Sequence, residues 1–344
     1  MGVLVLGMHR SGTSALAGAL EVMGFEVGPE SDVMPADVGN PEGYFELLSI
    51  VRANDDLLAH FGGRWDSPPD LAPDWVEDAV AIEFVDAVRG LLGELFGSER
   101  YLLKDPRISI LLPLWRRITN DQGCAIVIVR DPLEVASSLT KRNDLPTLTG
   151  LALWAAYNRA MLRDLQGARV HVCNYADLIE HPVEVLTDIV ASLREWGEVC
   201  EDLDLSKVFA SIKPELRRNM IVDVDLVSEA VPVEINELMK LTLDQRGRHD
   251  VFDMGTELAP GWWEGPLLEE RRVLLQWALG SIAEKEAQKA NLLIVNANLL
   301  TENGILWQQS EAANREAAQL RERIARLRRL VPGPLRRIAA KISR

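Results

Sequence analysis

The sequence predicts an α/β fold, with a central, mainly parallel sheet between helical layers and a helical extension at the C-terminus. Two observations carry this prediction. Short apolar runs at Val3 to Leu6, Tyr101 to Leu103 and Ala125 to Val129 each end in glycine or charged residues, and helix-like segments follow. Continuous apolar runs of this kind mark strands buried on both faces, the condition of a parallel sheet covered by helices. The second observation is a glycine-spaced loop directly after the first run, where a strand turns into a helix. With 344 residues, 47% of them hydrophobic, the chain can fill one sizeable core and carry additions to it.

The first element is that loop, GMHRSGTS, from Gly7 to Ser14. A strand, tight loop and helix in succession aim backbone N–H groups and the positive end of a helix dipole at one point, which cradles a phosphate. The loop is P-loop-like: Gly7 and Gly12 match the outer glycines, and Thr13 and Ser14 occupy the next positions, but Thr13 stands where lysine is expected and the cation comes earlier, at Arg10. A kinase or ATPase places lysine on its transferring phosphates, so the early arginine suits a different nucleotide. A glycine-rich turn that merely links strand and helix is the plain alternative.

The run Ala125 to Val129 delivers Arg130, Asp131 and Pro132 to the C-terminal end of a strand, the edge where open α/β sheets bind ligands. Arg130 and Ser138 can close on a second phosphate, through a guanidinium fork and a hydroxyl. At the end of the run Tyr101 to Leu103 come Lys104, Asp105 and Arg107, which read either as functional charges or as an ion-paired turn around Pro106. NPEGYFE, Asn40 to Glu46, is a turn leading into aromatics flanked by Glu42 and Glu46. Either carboxylate could be a general base toward a hydroxyl, or simply precede the next helix.

In combination these motifs resemble the sulfotransferases that use 3′-phosphoadenosine 5′-phosphosulfate (PAPS), over roughly residues 1 to 220. GMHRSGTS is similar to their 5′-phosphosulfate loop, which implies donor contacts from Gly7, His9, Arg10, Ser11, Gly12, Thr13 and Ser14. Arg130 with Ser138 resembles their 3′-phosphate motif, and KDPRISILLP puts Lys104 in the place of the lysine beside the sulfonate. NPEGYFE and NYADLIEHP are similar to segments of bacterial, carbohydrate-type members, and Arg217 with Arg218 resembles a basic pair near the end of related bacterial domains, which implies a donor contact, with surface ion pairing the alternative for at least one of them. Where cytosolic members carry a histidine two residues after the lysine, this chain has Pro106. The resemblance therefore implies a carboxylate base, Glu42 or Glu46, with Asp105 a third choice, and Arg10 and Lys104 stabilising the leaving group. It implies metal-independent transfer from PAPS to a hydroxyl, of a glycan or glycolipid if the bacterial likeness holds.

Other features bound this reading. The five histidines have no metal-ligand spacing, so no metal is expected. Cys124, Cys173 and Cys200 are few and widely spaced, which predicts buried, reduced thiols in a cytoplasmic protein, and the immediate first strand leaves no room for a signal peptide. A net charge of −15 speaks against nucleic acid as a partner, but residues 315–344 hold ten Arg or Lys against two Glu, a balance of +8 that leaves −23 on the rest. Ala313, Ala317, Leu320, Ile324, Leu327 and Val331 share one helical face, and an apolar stripe with basic neighbours resumes after Pro334. Such a tail suits an anionic membrane surface on the inner face, a partner helix or short coiled coil, or the protein's own acidic body. The expected organisation is a donor-binding body at 1–220, a helical connector at 221–265, a long helical segment at 266–330 and a basic amphipathic tail at 331–344. Two further functions stay open: a P-loop kinase or NTPase using Asp105 or Asp131 on magnesium, and a noncatalytic nucleotide-binding scaffold.

Overall fold

The computed structural model describes residues 2–37, 40, 43–97, 100–121, 123–198, 204–212, 231, 233–254, 315 and 317–322. The chain divides into two compact units, Met1–Leu275 and Gln276–Arg344; in the second, residues 315 and 317–322 are helical. The candidate residues Glu42, Arg217 and Arg218, Cys200, and most of the predicted extension and tail lie outside the described residues.

The first unit is built on five strands, β1 (Gly2–Leu6), β2 (Tyr101–Lys104), β3 (Cys124–Val129), β4 (Arg169–Asn174) and β5 (Gly247–His249), in the order β2-β1-β3-β4-β5. The first four run parallel, and β5 closes the edge antiparallel to β4. Ten α-helices accompany them among the described residues: α1 (Thr13–Val22), α2 (Leu48–His60), α3 (Ala79–Leu95), α4 (Leu112–Ile118), α5 (Pro132–Asn143), α6 (Thr147–Asp164), α7 (Tyr175–Glu180), α8 (Pro182–Glu195), α9 (Leu205–Ala210) and α10 (Val233–Asp244).

Strand periodicity explains the three layers. Side chains alternate across a sheet, so Leu4, Leu6, Ala125, Val127 and Val129 enter one core with α2 to α6 and α10. Val3, Val5, Cys124, Ile126 and Ile128 enter the other with α1, α7, α8 and α9. Both faces are covered, which is why these strands read as unbroken apolar runs. The parallel arrangement puts the ends of β1 to β4 on one edge, and the chain leaves β1 toward β2 on one side and leaves β3 toward β4 on the other. Ligands bind at such a switch point.

One boundary differs from the sequence reading. The segment 221–265 is not only a connector, because α10 packs into the core and β5 extends the sheet beyond residue 220. Three residues, Gly247, Arg248 and His249, carry no apolar alternation that could announce a strand.

The buried thiols Cys124 and Cys173 lie in β3 and β4 and are free. Beside Cys173 in sequence, His171 is 3% exposed, and its Nδ1 lies 2.8 Å from Ser192 Oγ. The Ser192 hydroxyl donates to Asp188 O at 2.9 Å, so His171 Nδ1 carries the proton it shares with Ser192. Burial, and secondarily His249, lowers the His171 pKa to about 4 from 6.5. The unfolded chain therefore takes up this proton first on acidification. Stability should be complete above pH 6.5 and fall by up to about 3 kcal/mol as the pH drops toward 4. Denaturant titrations across that window should show His171→Asn losing about one proton's worth of slope; an unchanged slope would contradict the assignment.

Candidate active site

The site assembles at the C-terminal edge around the loop between β1 and α1. Gly7 anchors it, donating its N–H to Ser109 Oγ at 3.1 Å, while Ser11 N bonds Met8 O at 3.1 Å. Arg10 turns the backbone through the left-handed region at φ 70°, and Gly12 follows at φ 96° as the N-cap of α1. Glycine is required at position 12 on two counts, since a Cβ there would also stand 2.2 Å from the Tyr175 ring. Helix α1 begins with no side-chain cap and no acidic residue in its first turn. Its first amides and dipole are therefore not compensated by a capping or acidic side chain of the first turn, as an anion site requires.

The two phosphate motifs, far apart in sequence, meet here. Arg10 Nε donates to Ser138 Oγ at 2.9 Å, and Arg130 Nη1 donates to Arg10 O at 3.1 Å. Sequence spacing pairs Ser138 with Arg130, whereas in the structure the hydroxyl is held by Arg10. Arg130 is fixed on several sides: its Nε bonds Glu134 Oε2 at 2.7 Å, its guanidinium lies 4.4 Å over the Tyr175 ring, and its carbonyl accepts from Trp154 Nε1 at 2.9 Å. Burial is the first cause lowering the Arg10 pKa, and the neighbouring cation Arg142 is the second; Tyr44 opposes them, and Arg130 lowers it further. A half-buried arginine crowded by cations favours an anionic ligand.

At the end of β2, Lys104 is 5% exposed and pairs with Glu46 Oε1 at 2.5 Å. Its ammonium also reaches Ser14 Oγ at 3.3 Å, which ties it to the first turn of α1. Glu46 is 5% exposed and stands just ahead of α2; burial raises its pKa, and the attraction of Lys104 offsets this only in part. Phe45 before it holds φ 56°, a left-handed turn costing on the order of 1–2 kcal/mol in a bulky residue. That turn aims Glu46 inward. Asn40 Nδ2 completes the rim, donating to Ser14 Oγ at 3.1 Å.

Asp105, the other carboxylate on this strand end, does structural work. It is 0% exposed and accepts from Asn54 Nδ2 at 2.9 Å and from both the backbone N and Nη1 of Arg107 at 3.0 Å. Burial disfavours the Arg107 charge, but Asp105 and Asp55 outweigh it and raise its pKa. The three charges at the end of β2 thus divide: Lys104 turns to Glu46 and Ser14, while Asp105 and Arg107 brace the turn. Asp131 is likewise engaged, capping α5 through Leu133 N at 2.9 Å and Glu134 N at 3.1 Å.

His9 contacts the rings of Trp65 and Tyr157, with centroids 4.7 and 5.7 Å apart, and its Nε2 is buried without a hydrogen-bond partner. Sequence reasoning overlooked Glu134, Tyr175, Trp65 and Arg142. Glu134 left a local signal in its i,i+4 spacing from Arg130, and Tyr175 lies in the segment NYADLIEHP without a role assigned to it. Arg142 pairs with Asp37 at 3.1 Å and bonds the Tyr44 hydroxyl, joining the end of α5 to the segment that carries Glu46. Among the described residues no group of His, Cys, Asp or Glu has the arrangement of a metal site, and no helix is long and apolar enough to cross a membrane.

No protein-family model matches this sequence, and no curated protein matches it. Among solved structures, the chain is similar to the sulfotransferase domain from the curacin biosynthetic pathway, at 15% identity over 69% of this chain and 95% of that one, with a TM-score of 0.40. A similar match is the sulfotransferase domain from the Synechococcus PCC 7002 olefin synthase, at 21% identity, 70% and 94% coverage and a TM-score of 0.40. A third is retinol dehydratase in complex with androsterone and inactive cofactor PAP, at 13% identity, 81% and 80% coverage and a TM-score of 0.30.

Proposed function

We propose that the protein is a PAPS-dependent sulfotransferase that transfers a sulfuryl group to a hydroxyl without a metal ion. The observation that carries this reading is the closure of the two anion motifs on each other through Arg10, Ser138 and Arg130. One cleft then offers two cationic poles, suited to a nucleotide with an anionic group at each end of its ribose. The chain's own groups fit that donor: an uncapped helix start, a glycine that leaves no room for a side chain, and an arginine whose partner is a hydroxyl rather than a carboxylate.

When bound, PAPS would supply the activated sulfuryl group and a phosphate leaving group. Arg10 and the amides at the start of α1 bind the 5′ end, and Arg130, held by Glu134 and Tyr175, binds the 3′ phosphate. Glu46 accepts the proton of the attacking hydroxyl, a role favoured by a raised carboxylate pKa. Lys104, released from Glu46 as that carboxylate takes the proton, turns its charge to the oxygen where negative charge accumulates. The bonds that Asp105 makes to Asn54 and Arg107 support Glu46 over it as the base.

The same contacts weaken the kinase reading. Asp105 and Asp131, its two candidates for holding magnesium, brace a turn and cap a helix. Glycan or glycolipid as acceptor, and an anionic membrane or partner helix as the counterpart of the tail, are parts of this proposal that rest on the sequence. Incubating the full chain with radiolabelled PAPS and a panel of hydroxyl acceptors should give label transfer that a chelator leaves unchanged. Transfer that stops with chelator and returns with magnesium would contradict the mechanism.

A further inference from the structure

We infer that Arg142 is a positioning residue, clasping Tyr44 and Asp37 from the last turn of α5 and so keeping the Glu46 carboxylate turned to Lys104. The inference rests on the sulfotransferase reading with Glu46 as the base, and names a residue on which that base depends.

The backbone anchors Glu46 on its downstream side, where Glu46 O accepts from Met34 N and Leu48 N donates to Asp32 O, both at 2.7 Å. Upstream stands Phe45 in the left-handed region at φ 56°, its ring against α1, where a Cβ at Gly18 would come within 3.2 Å of it. A bulky residue keeps such a conformation only where its surroundings fix both sides. A change of φ at Phe45 turns Tyr44 and Glu46 against each other, so Glu46 keeps its aim while Tyr44 is held.

The backbone of Tyr44 is held weakly, its carbonyl meeting Ser14 Oγ at 3.5 Å. Asn40 Nδ2 ties the preceding Gly43 O to Ser14 Oγ, at 2.5 and 3.1 Å. The side chain of Tyr44 supplies the rest. Its hydroxyl donates to Asp37 Oδ1 at 2.6 Å and accepts from Arg142 Nη2, and the Arg142 guanidinium stands 5.1 Å over its ring. Arg142 Nη2 also bonds Asp37 Oδ2 at 3.1 Å. Arg142 thus fastens the turn to α5 through three contacts: a ring, a phenol and a carboxylate.

Helix α5 links this clasp to the cations assigned to the donor. Arg130, Glu134, Ser138 and Arg142 follow one another at steps of four, which lines the last three along one helix face. Glu134 bonds Arg130, Ser138 bonds Arg10, and Arg142 bonds the segment that bears the base. The partners separate the role of Arg142 from that of Arg10: Asp37 matches the Arg142 charge, whereas Arg10 meets the Ser138 hydroxyl.

The side chains of Arg142 and Asp37 are 31% and 52% exposed, so losing the pair should leave the fold intact. The test measures transfer of label from PAPS and affinity for adenosine 3′,5′-bisphosphate in the full chain and its variants. Arg142→Ala should lower kcat by about 10- to 100-fold, the cost of a misplaced catalytic group, with bisphosphate affinity within about threefold of wild type. Arg142→Lys, which keeps a cation for Asp37 and a donor for the Tyr44 hydroxyl, should recover part of that rate. In a Glu46→Gln background the same Arg142→Ala change should cost less than about twofold, because the group it positions is gone. An Arg142→Ala kcat within about twofold of wild type would overturn the inference and leave the sulfotransferase reading standing. An equal loss in both backgrounds, or a tenfold fall in bisphosphate affinity, would do the same. A wild-type chain that does not bind the bisphosphate would overturn that reading and the inference with it.

Discussion

Glu46→Gln should lower sulfuryl transfer by about 10²–10⁴-fold, the range typical of a lost general base. Glutamine keeps the shape and still offers an oxygen to Lys104, so affinity for adenosine 3′,5′-bisphosphate should change little. The loss should appear in kcat. The wild-type pH profile carries a second sign of the same group. Burial raises the Glu46 pKa, so activity should rise with pH through an ionisation above the usual carboxylate range. In Glu46→Gln that limb should be absent. Rates measured under saturating donor across pH 4 to 8 check both; a variant with wild-type kcat would remove Glu46 from the mechanism.

Lys104→Ala carries the largest expected effect on stability. Both partners of the Lys104–Glu46 pair are 5% exposed, so removing the lysine leaves a carboxylate buried and unpaired. Breaking a buried pair from one side costs about 3–5 kcal/mol, because the desolvation of the surviving charge is no longer compensated. Replacing both partners with apolar residues of similar volume avoids that penalty. Lys104→Met combined with Glu46→Leu should therefore recover most of the stability that Lys104→Ala loses, while remaining inactive. Urea unfolding of the three proteins separates the outcomes. A Lys104→Ala variant within about 1 kcal/mol of wild type would show that water reaches the pair and that it is no buried ion pair.

The parallel core was legible because a strand buried on both faces has few sequence alternatives. Val3 to Leu6 and Ala125 to Val129 appear as β1 and β3 nearly to the residue, and the glycine spacing announced the loop between β1 and α1. The edge strand β5 was illegible, since Gly247–His249 gains its geometry from pairing with β4 rather than from its own side chains. Candidate site residues showed the same contrast. Arg130 and Lys104 stand at strand ends and Arg10 in the glycine-spaced loop, positions that follow from local pattern. Which carboxylate faces Lys104 does not, because Glu46 and Asp105 differ only in tertiary partners: Asp105 is drawn to Asn54 and Arg107, and a left-handed turn at Phe45 sends Glu46 inward. Tyr175 and Trp65 touch the site from elements remote in sequence; Tyr175 lies within NYADLIEHP, where the pattern gave it no role, and Trp65 left no motif.

The proposed function makes one demand on the ligand: a nucleotide held by both Arg10 and Arg130 must be anionic at both ends. Calorimetric titration of the full chain with adenosine 3′,5′-bisphosphate and with adenosine 5′-monophosphate, repeated on Arg130→Ala, measures that demand. The bisphosphate should bind wild type about 100-fold more tightly, the worth of two charge-assisted hydrogen bonds, and Arg130→Ala should erase the difference. Equal affinity of the wild-type protein for the two nucleotides would contradict the account.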